Sequence, residues 1–202
     1  MLTNSTTEAD KAALRKRLRA ELQKMTPAEQ SAASAAACLL LEQQPLWKTA
    51  QTILFYAPLP GEVDIWRLCH DSLAAGKTVC LPRYSADEKT YIVCRVKDAV
   101  HDLLTGQFGI REPREFCPKI SSNRLDLILV PGIAFDFDGH RLGRGKGFYD
   151  QLLAALQGPT CGVAFDQQIV GRIPTEPHDV RLSCILTPTR WHYVNGPRAV
   201  LK

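Results

Sequence analysis

Nine residues, Leu142-Gly143-Arg144-Gly145-Lys146-Gly147-Phe148-Tyr149-Asp150, combine three glycines, two cations and a carboxylate. Glycine at every second position lets the backbone take positive φ and turn several N–H groups toward one anion. Arg144 and Lys146 add full charge to those backbone dipoles, which suits a phosphate. The spacing is not that of the common nucleotide loops. A Walker A motif ending at Gly145-Lys146 would need glycine where His140 stands and a hydroxyl residue where Gly147 stands. The dinucleotide fingerprint fails as well, because the glycines run Gly143-x-Gly145-x-Gly147. A glycine-rich hairpin kept soluble by its cations is the plainer reading. It leaves unexplained the direct passage into an aromatic helix.

The elements around this loop must position it. Leu125 to Pro131 reads as a buried strand and Phe148 to Leu156 as a helix with apolar residues at helical spacing. Strand, glycine loop and helix start together form a common phosphate cradle. Upstream, residues 8–25 predict a helix with Leu14, Leu18, Leu22 and Met25 on one stripe. Thr26-Pro27-Ala28-Glu29 predicts the start of a second helix running to about Leu41, with Thr26 as its cap and Glu29 three residues on. Strands are expected over 52–57, 78–82, 90–96, 161–165 and 182–187, a helix over 64–75, and a Gly/Pro-punctuated loop over 106–118. Strands alternating with helices predict a single three-layer α/β/α domain around a mostly parallel sheet. Residues 1–7 and 197–202 are expected to be loosely ordered.

Composition bounds the function classes. A chain of 202 residues with 45% hydrophobic and 23% charged content is long enough for one well-buried domain. A net charge of +4 suits a small anionic substrate and is too weak to imply nucleic acid without a clustered basic face. A nucleic-acid module would draw on the basic first helix with Arg95, Arg111, Arg114 and Arg124, and would bind with steep salt dependence. No apolar run approaches the roughly 18 residues of a membrane span, and no signal-peptide core is evident, so a cytoplasmic location is expected. A monomer is expected too, although no sequence feature fixes the oligomeric state. The seven cysteines form no Cys-x-x-Cys pair and lack zinc-finger spacing, which favours free, buried thiols with no catalytic part. Trp47, Trp66 and Trp191 read as packing residues.

Leu127-Ile128-Leu129-Val130-Pro131-Gly132-Ile133-Ala134-Phe135-Asp136, followed by Gly139 through Asp150, closely resembles the 5-formyltetrahydrofolate cyclo-ligase (5,10-methenyltetrahydrofolate synthetase) family. The resemblance continues through Lys11-x-x-Leu14-Arg15, Tyr56-Ala57-Pro58-Leu59-Pro60-Gly61-Glu62-Val63-Asp64, Leu81-Pro82-Arg83, Phe108-Gly109-Ile110-Arg111-Glu112-Pro113 and Pro174-x-Glu176-Pro177-His178-Asp179. It implies a fold like that of sugar-phosphate isomerases and CoA transferases. It also implies ATP- and Mg²⁺-dependent ring closure of 5-formyltetrahydrofolate through a phosphorylated formyl group.

By the same resemblance, Lys11, Arg15, Arg141, Leu142, Gly143, Arg144, Gly145, Lys146, Gly147, Phe148 and Tyr149 would bind ATP. Arg144 or Lys146 would stabilise charge on the transferring phosphoryl group. Lys11 and Arg15 lie four apart on one helix face. From the residues alone they would read as a solvated basic edge with Lys16, Arg17 and Arg19. Asp150 would hold Mg²⁺, a simple helix-dipole charge being its plainer role. Glu62 would accept from the pterin, with Tyr56, Phe108, Arg144 and Phe148 as further folate contacts. Some relatives carry a second metal-side carboxylate near the position of Ser183, which this chain lacks. His178 and Asp179 read as a turn near the site, outside the chemistry. The rival enzymatic reading is another ATP-dependent kinase, and the rival binding reading a catalytically weakened folate-binding protein.

Overall fold

The computed structural model describes residues 3–106, 109–176 and 179–194. The chain runs through α1 (Thr3–Leu22), α2 (Pro27–Gln43), α3 (Pro45–Thr49), β1 (Thr52–Leu54), α4 (Trp66–Ala74), β2 (Thr78–Ser85) and β3 (Thr90–Val96). It continues through β4 (Leu103–Thr105), β5 (Arg111–Pro113), β6 (Leu127–Val130), β7 (Ala134–Phe135), β8 (Arg141–Leu142), α5 (Phe148–Ala155), β9 (Thr160–Val163), β10 (Cys184–Leu186) and β11 (Trp191–Tyr193). Seven strands form the central sheet in the order β11-β10-β9-β6-β1-β2-β3. The five inner strands are parallel, and the antiparallel strands β3 and β11 close the two edges.

Both faces of the inner strands are buried, which is why these segments read as continuous apolar runs rather than as alternating ones. Ile53, Phe55, Leu127, Leu129, Cys161 and Val163 face one way and pack with Cys38 and Leu41 of α2, Trp47 of α3 and Leu68 of α4. Leu54, Ile128, Val130 and Ile185 face the other way, against Leu152 and Leu153 of α5. The result is the three-layer arrangement expected from the alternation of elements. All seven cysteines are buried and free, and burial pushes the Cys69 and Cys80 thiols up to about 12.

Element boundaries moved for local reasons. The second helix starts at Pro27 as expected: the Thr26 side chain accepts from Glu29 N, and Glu29 accepts from Thr26 N in return. Helix α1 already begins at Thr3, inside the segment expected to be loose, and stops at Leu22, so Met25 packs from outside the helix. Residues 1–2 and 197–202 lie outside the described residues. Helix α4 starts at Trp66 rather than at residue 64, because the Asp64 carboxylate accepts from Trp66 N at 2.9 Å. Segment 106–118 is not all loop: β5 pairs with β4 in a small antiparallel sheet.

The largest departure is between β6 and the glycine loop. Instead of leading straight into the loop, the chain makes the β7–β8 hairpin, so the loop leaves from β8. Asp136, fully buried, holds this hairpin. Its carboxylate accepts from Asp138 N (3.1 Å), His140 N (2.9 Å) and Ile173 N (2.9 Å), and lies 3.1 Å from His140 Nδ1. Asp138 and His140 bring further metal-ligand types alongside. The Asp136 oxygens are nonetheless already engaged by the turn they stabilise. Removing the carboxylate would orphan buried N–H groups at about 1–3 kcal/mol each. Asp136→Ala is therefore expected to lose about 3 kcal/mol or more of stability. Denaturant unfolding checks this, and an unchanged midpoint would refute it.

Candidate functional site

The C-terminal ends of β1 and β6 open into a cavity of about 390 Å³, the usual location for a ligand in an open α/β sheet. Glycines 143, 145 and 147 with the residues between them, then Phe148, Tyr149 and Asp150, form one wall; Tyr56, Leu59 and Glu62 form another. Tyr91 contributes from the antiparallel edge strand β3, and Ile110 from just before β5. Four cations (Arg19, Arg141, Arg144, Lys146) and two carboxylates (Glu62, Asp150) line it. That balance favours an anionic ligand.

The glycine loop earns its composition at two positions. Gly145 has φ +102° and Gly147 φ +69°, conformations strained for any side chain. Gly147 is also the left-handed residue immediately before α5. Its conformation places Asp150 in the first turn of that helix, where a carboxylate is favoured.

Arg141 is the buried post behind this wall. Its Nη2 donates to Asp150 Oδ1, its Nη1 to Pro131 O at 3.3 Å, and its guanidinium lies 5.6 Å from the Tyr149 ring centre. Arg141 Nε has no acceptor among the described residues. Asp150 is half-buried and anchored through one oxygen, and it reaches the cavity wall. Mg²⁺ keeps several waters and takes few protein carboxylates beside phosphate oxygens, so this donor fits the ion that the resemblance implied. Ser183 does not add to it. Ser183 lies at the far edge of β9, with its Oγ accepting from Thr160 N and its N donating to Thr160 Oγ1.

Glu62 and Arg144 meet across the cavity although 82 residues separate them. Glu62 Oε1 accepts from Arg144 Nη2 at 2.8 Å and from Nε at 3.1 Å, and Oε2 accepts from Leu59 N at 3.0 Å. Only 8% of the Glu62 side chain is exposed, against 45% for Arg144. Burial raises the Glu62 pKa above its ordinary value, and the Arg144 charge and hydrogen bonds offset this only in part. The Tyr56 hydroxyl, expected to meet folate, is occupied: it donates to Val63 O at 2.8 Å and braces the turn that carries Glu62. Phe148 contacts Tyr84 and Tyr91 edge-on, at centroid distances of 5.6 and 5.8 Å.

Leu142, Lys11 and Arg15 do not line this cavity. The Leu142 side chain is 2% exposed and packs with Leu18, Ile133 and Ala134, away from the cavity. Lys11 does not sit on a solvated edge: it is 6% exposed and held by Glu176 and Asp179. Arg15 Nε donates to Gly143 O at 3.0 Å, and its Nη1 pairs with Glu8. Phe108 and His178 lie outside the described residues. Tyr91, Pro82 and Arg19 line the cavity without having been singled out as ligand contacts. Pro82 lay inside a noted motif, Leu81-Pro82-Arg83. Tyr91 carried no signal beyond its strand.

Comparison with known proteins converges on one family. The sequence model of the 5-formyltetrahydrofolate cyclo-ligase family matches residues 7–188. The 5-formyltetrahydrofolate cyclo-ligase of Mycolicibacterium smegmatis is 36% identical over 70% of this chain and 76% of its own length. That of Escherichia coli K12 is 30% identical over 84% and 96%. Among solved structures, the 5,10-methenyltetrahydrofolate synthetase of Aquifex aeolicus superposes with a TM-score of 0.84 at 31% identity, covering 95% of this chain and 96% of that one. The enzyme of the same description from Mycoplasma pneumoniae gives 0.71 at 25% identity, over 89% and 99%.

Proposed function

The chain belongs to the 5-formyltetrahydrofolate cyclo-ligase family, and on that premise we propose that it converts 5-formyltetrahydrofolate to 5,10-methenyltetrahydrofolate, consuming ATP and releasing ADP and phosphate. The observation that carries this reading is the Glu62–Arg144 pair, which joins a buried acceptor to a phosphate-type loop in one cavity.

An amide-like formyl oxygen is a poor leaving group, and phosphorylation makes it a good one. The formyl oxygen attacks the γ-phosphorus of ATP, an O–P bond forms, and ADP departs with the electrons of the broken bridge. Folate N10 then adds to the formyl carbon and gives up its proton, and the C–O bond breaks as phosphate leaves. The attacking oxygen carries no proton, so the first step requires no general base. The protein's task is to position two molecules and balance charge.

On this reading Glu62 accepts from ring donors of the pterin, which a carboxylate suits, and Phe148 and Tyr91 offer aromatic surface beside it. The backbone N–H groups and cations from Gly143 to Gly147 take the phosphates, with Arg144 and Lys146 closest to the transferring group. Arg144 also touches Glu62, so the residue that fixes the folate side and one that meets phosphate are mechanically joined. Asp150 would hold Mg²⁺ together with phosphate oxygens and water, and the ion would neutralise phosphate charge there. No helix among the described residues is long and apolar enough to cross a membrane.

The test mixes the protein with 5-formyltetrahydrofolate, ATP and Mg²⁺ and follows methenyltetrahydrofolate by absorbance, omitting each component in turn. Product should require all three. Product without ATP would remove the phosphorylation step. Folate binding without product would leave the folate-binding alternative.

A further inference from the structure

We propose that Glu176 and Asp179 are positioning residues for nucleotide binding, acting through Lys11. The inference rests on the functional reading above and on the expectation, implied by the family resemblance, that Lys11 meets the ATP phosphates. It adds a role for a segment that the mechanism otherwise leaves idle.

Lys11 Nζ donates to Glu176 Oε2 at 2.8 Å and to Asp179 Oδ2 at 3.3 Å, across 165 and 168 residues. The two acids are hydrogen-bonded to one another: Asp179 Oδ2 accepts from Glu176 N at 2.8 Å, and Asp179 N donates to Glu176 O at 3.0 Å. They therefore form a preset receptor for one ammonium. Burial alone would lower the Lys11 pKa, but the hydrogen bond that Lys11 donates to Glu176 and the charge of Asp179 outweigh it and leave it raised. The group stays charged. An ammonium has three N–H donors. Two have acceptors here, and the third has none among the described residues.

The helix carries this geometry to the site. Lys11, Leu14, Arg15 and Leu18 share one stripe of α1. Leu14 and Leu18 pack on Ile133, Leu142 and Ile173, which seats the helix on the hairpin that feeds the glycine loop. Arg15, one turn after Lys11, donates to Gly143 O, and its Cζ lies 3.5 Å from where a Cβ on Gly145 would be. A free lysine would spread its ammonium over many rotamers, and that freedom would be lost, at an entropic cost, when it is finally ordered. The acid pair removes that cost before the nucleotide arrives and leaves one donor to meet a phosphate oxygen.

The experiment measures binding of a non-hydrolysable ATP analogue by calorimetry, with KM for ATP and for 5-formyltetrahydrofolate, in the wild type, Glu176→Gln, Asp179→Asn, Asp179→Glu and Lys11→Met. Asp179→Asn and Glu176→Gln should each weaken analogue binding and raise KM for ATP about tenfold, with the folate KM within about twofold. Asp179→Glu, which keeps the charge, should recover most of the loss even if melting temperature falls. Unchanged nucleotide affinity beside a lower melting temperature would reduce the pair to a fold anchor and overturn the proposal. Tighter nucleotide binding would also overturn it, by making the acids competitors of phosphate for Lys11. Analogue binding by the wild type but unaltered in Lys11→Met would remove Lys11 from the nucleotide site. No analogue binding by the wild type would overturn the functional reading itself.

Discussion

Replacing Lys146 with alanine is expected to lower kcat by about 10²–10³-fold, the usual cost of removing one preorganised group from charge developing in a transition state. Melting temperature should stay close to that of the wild type. Lys146 is exposed, on a loop whose shape is set by Gly145 and Gly147 on either side. A surface substitution of this kind ordinarily shifts stability by no more than about 0.5 kcal/mol. Arg144 differs, because Glu62 already holds it. Arg144→Ala would disturb the folate side as well, so Lys146 gives the cleaner reading of phosphate-side catalysis. A normal rate in Lys146→Ala with normal melting would remove this residue from the mechanism.

The second large effect is at Glu62. Glu62→Gln keeps shape and one acceptor but deletes the charge that binds Arg144 inside a buried wall. Losing such a charge-assisted contact costs a few kcal/mol, so the folate KM should rise about 10²-fold, with a smaller change in kcat. A defect confined to the ATP KM would mean that Glu62 serves the other ligand. The same residue sets a pH dependence. Because burial lifts its pKa above 4.5, Glu62 protonates sooner than an ordinary carboxylate as pH falls. Wild-type folate KM should therefore climb on the acid side, starting above pH 4.5, and the Gln variant should lack that climb. Stability moves opposite to folate affinity. A raised acid pKa means that the folded state binds the proton more readily, so this residue's contribution is fully present below pH 4.5 and is lost as pH rises through the folded value. Melting temperature and folate KM rising together as pH falls through that window would be the signature of Glu62.

Much of the site could be read from local composition. The glycine loop, its cations and Asp150 lie within nine residues, so their types and spacing are read without knowing which distant partners they meet. The start of α2 was legible for the same reason, since Thr26, Pro27 and Glu29 act on one another within a single turn. The inner strands showed themselves through unbroken apolar runs, because a parallel strand covered on both faces must be apolar throughout. Strands β7 and β8 were not legible: two residues each are too few to display any period. The fully buried Asp136 that shapes their hairpin depends on Ile173, which is remote in sequence.

The sequence by itself determined the kind of chemistry this protein could host, an anion held by glycine N–H groups and flanking cations, and the layered sheet that presents it. These follow from periodicity and from residues that act on their near neighbours. Tertiary structure alone decided which charges meet. Glu62 faces Arg144, Asp150 is tied to the buried Arg141, and Lys11 is drawn off a seemingly solvated helix face between Glu176 and Asp179. The physical reason is that helix spacing places a lysine on a face but does not say what covers that face. Only the packing of α1 against the hairpin and Ile173 brings the Glu176 and Asp179 carboxylates over it and makes a buried cation tenable.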